Sequence, residues 1–185
     1  IGDVTHSSGT HDHFNQWLWQ RLLWAPQTPV EELVAEYART WFGPEAAPLM
    51  AQAIFQLEDN LAEKPGVPIT KKEGIERYYR LVREAGARMP LVLMKNDWLW
   101  REYMQKAALD KYIQLRVRQQ TELQVKVEKA IARSNADAAI DRAQAWLGEL
   151  HETREMLLLR QEATRLGEES SRLFGVRSED IINLD

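Results

Sequence analysis

The sequence contains no cysteine. Disulfides and thiolate metal sites are therefore excluded, while the compartment stays open, export of a parent protein included, because exported proteins also do without cysteine. No apolar run approaches the ~20 residues that a membrane span needs. Basic charge is not in excess either: 24 Lys and Arg against 28 Asp and Glu give a formal charge of −4 and a pI near 5.7. Such a chain has no net field with which to gather nucleic acid, so neither nucleic acid nor a membrane is expected as a partner, and no cofactor is expected. Glycine and proline are sparse, at 9 and 7 residues, and where they are absent for long stretches the chain is free to run as helix. One sizeable core is expected from 185 residues, since a globule of that size buries roughly 70% of the surface its unfolded chain exposes.

What is present is helical periodicity. Asp12 stands where it can cap a first helix reaching about Leu23, whose Phe14, Trp17, Leu18, Leu22 and Trp24, interrupted at Arg21, predict a broad buried face. Thr28, Pro29 and Glu31 open a second helix through Phe42, with Leu33, Val34, Tyr37, Ala38 and Trp41 as its buried stripe, and Gly43 closes it. A third runs from about Glu45 to Leu61 on Leu49, Met50, Ala53, Ile54 and Leu57. After a Pro- and Gly-bearing loop, Thr70 and Glu73 have the spacing of a capping box and start a fourth helix that reaches about Met89. From Trp98 to Arg133 there is no glycine or proline, which predicts a helix of about 50 Å. Ser134 and Asn135 break it, and a second long helix is expected from Ala136 to about Phe174, folding back antiparallel. Ile140, Ala143, Leu147, Leu150 and Leu157, interrupted at Arg154, predict its packing seam.

The expected fold is thus all-α: a bundle of four shorter helices plus a long antiparallel helical hairpin, after a short extended N-terminal segment. Residues 1–11 read as a strand end and loop left by a preceding domain. Residues 12–185 read as the helical domain, with residues 12–94 as a short-helix lobe and 95–185 as the hairpin lobe, through which a homodimer could form.

Chemistry-bearing residues concentrate at the N-terminal junction. Three of the four histidines and three of the seven tryptophans fall between Thr5 and Trp24. His6, His11, Asp12 and His13 are ligand types that zinc or another first-row metal accepts, which gives one reading as a self-contained metal-binding helical protein. A second reading is a loop at the edge of a substrate site, with His11, Asp12, Asn15 and Trp19 as contacts, and a third is a purely structural helical module. Trp19 lies off the stripe of Phe14, Trp17, Leu18 and Leu22, so it faces solvent, another domain or a ligand. Ser7 and Ser8 lack any elbow motif, and no catalytic residue is assigned.

The run GDVTHSSGTHDHFNQWLWQRLLWAP, followed by VEELVAEYARTWFGPEAA, resembles the segment that leaves the last barrel strand and enters the C-terminal helical region in bacterial proteins similar to α-glucuronidase-type glycoside hydrolases. Gly9, His11, Asp12, Asn15, Trp24, Pro26, Tyr37, Ala38, Arg39, Phe42, Gly43, Pro44 and Glu45 carry the likeness, and LRQEATRLGEESSRLFGV looks like the closing helix. Ser8 stands where an acid is frequent, and His13 where a second Asp is usual. The resemblance implies a helical accessory or interaction domain of a carbohydrate-active protein, inactive alone, whose barrel with its catalytic carboxylates lies upstream and whose carbohydrate contacts come through that parent.

Overall fold

The structure, a computed structural model, describes residues 12–61, 67–133, 136–148 and 151–175. The expected extended segment before residue 12 and the apolar tail residues Ile181, Ile182 and Leu184 lie outside the described residues. Among the described residues the chain is all-α, with eight α-helices, one short 3-10 turn and no strand. The helices are α1 (His13–Trp24), α2 (Val30–Phe42), α3 (Ala47–Leu61), α4 (Gly74–Arg88), α5 (Leu91–Asn96), α6 (Leu99–Arg133), α7 (Ala136–Gly148) and α8 (Arg154–Phe174), with the 3-10 turn at Ile69–Lys71. None of them is long and apolar enough to cross a membrane.

Most of the predicted stripes of the early helices form the core, but Trp41, expected in the stripe of α2, is exposed, and Leu49 and Leu57 of α3 are only partly buried. Leu33, Val34, Tyr37 and Ala38 of α2, Met50, Ala53 and Ile54 of α3, and Tyr78, Leu81, Val82 and Ala85 of α4 are all buried. One cluster joins them to Leu99, Tyr103, Met104, Ala107 and Ala108 of α6 and to Met156, Leu159, Ala163 and Leu166 of α8. Polar links fasten this core, with side-chain donors reaching backbone carbonyls of neighbouring elements. Tyr78 donates to the Tyr103 carbonyl at 3.3 Å and the Trp100 indole to the Val82 carbonyl at 3.2 Å. Gln114, itself buried, donates from Nε2 to the carbonyls of Ile69 and Lys72, both at 2.8 Å, and so pins the 3-10 turn to α6. Trp100 lies across Gly86, where a Cβ would come within 2.4 Å of the indole ring, so this helix-helix approach requires glycine.

Several local expectations are corrected. Asp12 precedes α1 but makes no side-chain cap hydrogen bond, and Glu73 begins α4 without one, so neither the Asp12 cap nor the Thr70–Glu73 box forms. Gln114 explains the second case, because its contacts to Ile69 and Lys72 hold that segment in a 3-10 turn. Leu91 to Met94, a short apolar piece in the sequence, is the helix α5. Gly43 does end α2 at a positive φ, +83°, but with ψ 161° rather than the left-handed helical value. That region of backbone space is essentially glycine's alone.

The larger correction concerns the long second limb. It does not run unbroken from Ala136 to Phe174 but consists of α7 and α8. Thr153 caps α8, its Oγ1 accepting from the Met156 amide at 3.2 Å. Glu152 accepts from Tyr112 at 2.8 Å and from both Nε and Nη2 of Arg160, while Gln119 donates to the His151 carbonyl at 3.0 Å. The start of α8 is thereby clamped to the middle of α6. At its other end Arg101 reaches Glu169 at 3.4 Å, so α6 and α8 run antiparallel. The seam of α8 is Met156, Leu159, Ala163, Leu166 and Ser170, one residue out of step with the expected Leu157, which is exposed along with Ile140 and Leu147.

Candidate functional site

None of the residues of helix α1 is fully buried. It lies on α2 with Phe14 and Trp17 partly buried against the core. Apolar residues occur all around it, so packing one side leaves others in solvent. Trp19 is 48% exposed and Trp24 91% exposed, and Leu23 is also exposed. The broad buried face expected from Phe14, Trp17, Leu18, Leu22 and Trp24 is therefore only a half-buried one, and Trp24 is not part of it.

His13 opens α1 inside an aromatic box. Its Nδ1 lies 2.8 Å from the Tyr37 hydroxyl, and which of the two donates is set by the imidazole tautomer. The ring centroids of Trp41, Trp98 and Tyr37 lie 4.8, 5.7 and 5.7 Å from that of His13, the two tryptophans edge-on. Burial lowers the His13 pKa, because a charged imidazolium would be taken out of water. Tyr37 is driven far above the ordinary phenol range, by burial first and then by the neighbouring Tyr103 hydroxyl and the carboxylates of Asp97 and Glu102. The pair is thus neutral at physiological pH. It anchors α1 to α2 and α6.

On another side of α1 a cleft of about 510 Å³ opens between α1, α2 and α3. Asp12 and Asn15, one helical turn apart, stand on it with Phe14 and Leu18, and α3 supplies Ile54, Phe55, Glu58 and Leu61. Tyr103 of α6 also lines it. An apolar lining with aromatic rings and a few polar groups suits an amphipathic ligand, one with an apolar face and polar edges.

The structure therefore brings Asp12 and Asn15 together on one cleft and places Trp19 one turn beyond Asn15, exposed and outside that cleft. It directs His13 into the aromatic box. His6 and His11 lie outside the described residues. Among the described residues no group of three His, Asp or Glu side chains is placed to hold a metal ion. Sequence reasoning missed Phe55 and Glu58, which flank the recognised α3 stripe, and the role of Trp98, whose edge closes the box around His13.

Comparison with known families adds one result. The model of a family described as a domain of unknown function, DUF4838, matches residues 2–54. That segment holds every residue singled out here as a site candidate from the sequence, together with α1, α2 and the first half of α3. The family's description names no activity. No curated protein and no solved structure matches the chain.

Proposed function

We propose that this chain is a helical accessory and interaction region of a carbohydrate-active, glycoside hydrolase-like protein, with no catalytic residue of its own. In this reading α1 packs against an upstream barrel, and Asp12, Asn15 and the preceding His11 form one edge of its sugar-binding cleft. The observation that carries the reading is the incomplete burial of α1. A helix with Trp19, Leu23 and Trp24 exposed while its other side rests on α2 has an apolar face suited to another domain. The cleft beside it supports the same reading, since a sugar ring has an apolar face for Phe14 and Phe55 and hydroxyls for Asp12 and Asn15. The residues of the resemblance to α-glucuronidase-type proteins fall on this junction, and so does the family match.

The test has two arms. The isolated chain is expected to show neither glycosidase turnover nor heat of binding with uronic-acid oligosaccharides, and clear hydrolysis by it would end the proposal. In the full-length polypeptide, oxidative footprinting of Trp24 is expected to fall at least fivefold relative to the isolated chain. Asp12→Asn and Asn15→Ala are expected there to raise KM severalfold with little change in kcat. Equal Trp24 labelling in both forms would remove the packing against a barrel.

A further inference from the structure

The core stops partway along α6. Its buried residues run from Leu99 to Gln114, and beyond them only Ala130 is buried among the described residues. The remainder of α6 projects with α7 as a two-helix arm. On α7, Ile140, Ala143 and Leu147 share one stripe at three- and four-residue spacing, the register of a helix-packing seam. Ala143 and Leu147 border an open groove of about 510 Å³ with Leu123 and Val127 of α6. Ile140 and Leu147 are nevertheless 53% and 61% exposed. Beyond the links of Arg118 to the Thr70 carbonyl and of Gln119 to the His151 carbonyl, the two helices pack on each other, which leaves this seam half wet, and packing of an amphipathic face, more than propensity, is what stabilises a helix.

We propose that the arm is a dimerisation surface whose occupant is the arm of a second copy of this chain, the two arms closing into an antiparallel four-helix bundle about a two-fold axis. Charge favours this occupant and fixes the pairing. Residues 116–133 of α6 carry five basic and two acidic side chains, net +3, whereas α7 carries Asp137, Asp141 and Arg142, net −1. Two α6 segments repel each other, but α7 of one copy is complementary to α6 of the other, and a two-fold axis satisfies both contacts at once. The size is adequate. The exposed part of α6 is about 27 Å long and α7 about 20 Å, each about 10 Å across, giving roughly 470 Å² in projection. With side-chain relief this approaches the ~800 Å² per partner of a standard interface. Ala143, on the same stripe as Ile140 and Leu147, lets the backbones approach closely there. The inference does not rest on the carbohydrate reading above.

Sedimentation equilibrium of the purified chain is expected to give a dimer at micromolar concentration. Leu147→Glu, at an exposed site that a monomer tolerates, is expected to weaken it at least tenfold with helical content unchanged. Leu158→Glu, exposed on α8 outside the arm, is expected to leave it intact. A charge-swapped pair tests the arrangement: Lys126→Glu with Lys129→Glu in one copy, and Asp137→Lys with Asp141→Lys in the other. Each is expected to be monomeric alone and dimeric when mixed. A monomeric wild-type chain at 100 μM overturns the proposal, and so does a dimer that survives Leu147→Glu or forms equally well in either charge variant alone.

Discussion

At the scale of single residues, His13 shows how burial converts a reactive side chain into a structural one. An exposed histidine beside carboxylates would be a candidate acid, base or ligand. Here the imidazole is enclosed by Tyr37, Trp41 and Trp98, with its Nδ1 at the Tyr37 hydroxyl, and desolvation lowers its pKa. The linkage follows directly. A histidine whose folded pKa lies below its unfolded value of ~6.5 binds more protons when unfolded, so its contribution is complete above that value and is lost as pH falls through the folded pKa. Urea midpoints are expected to fall between pH 7 and pH 5, and His13→Phe is expected to flatten that slope. An unchanged slope in His13→Phe would show that the imidazole titrates freely. The sequence could not reveal this, because the three enclosing rings come from α2 and from the residue before α6, far from His13 in the chain. The pairing of Asp12 with Asn15 was legible, since one helical turn suffices to place both on one face.

At the scale of elements, legibility depended on whether a local signal met a competing contact. The stripes of α2, α3 and α4 were readable because a single face of each is buried, and their periodicity records that face. The limb after Ala136 has the pattern of one unbroken helix because Ile140, Ala143, Leu147 and Leu150 continue smoothly to Leu157 if Arg154 is passed over. That arginine was the warning. It begins α8, Gly148 ends α7, and the packing phase restarts one residue earlier at Met156. Thr153 supplies the start, its hydroxyl accepting from the Met156 amide while Glu152 is held by Tyr112 and Arg160. Removing an N-cap hydroxyl costs about 1 kcal/mol. Thr153→Ala is therefore expected to lower the unfolding free energy by about that amount, and Thr153→Ser to restore most of it. Equal stability of the two variants in chemical denaturation would mean that the Glu152 clamp, rather than the cap, sets this helix start.

At the scale of the molecule, the chain divides by how its helices are buried rather than by sequence order. One cluster spans α2, α3, α4, the first half of α6 and α8, although α8 is more than a hundred residues from α2 in the chain. Outside it stand α1 and the short α5, which rest on it partly exposed, and the arm of α7 with the second half of α6. Helix α6 belongs to both the core and the arm, with no glycine or proline between them, so its backbone is continuous while its packing is not. Amide exchange should expose that discontinuity, because local opening is governed by burial and not by helix continuity. In the Leu147→Glu chain, amides of residues 103–114 are expected to exchange only through global unfolding, which for a domain of this kind costs about 5–15 kcal/mol. Those of residues 120–133 are expected to exchange through a local opening at least ~3 kcal/mol cheaper, since few buried contacts hold them. In the unsubstituted chain at high concentration the gap is expected to narrow, because two arms packed together must separate before either opens. Uniform protection along α6 in the Leu147→Glu chain would mean that the hairpin of α6 and α7 is stable by itself, leaving the arm no need of a second copy.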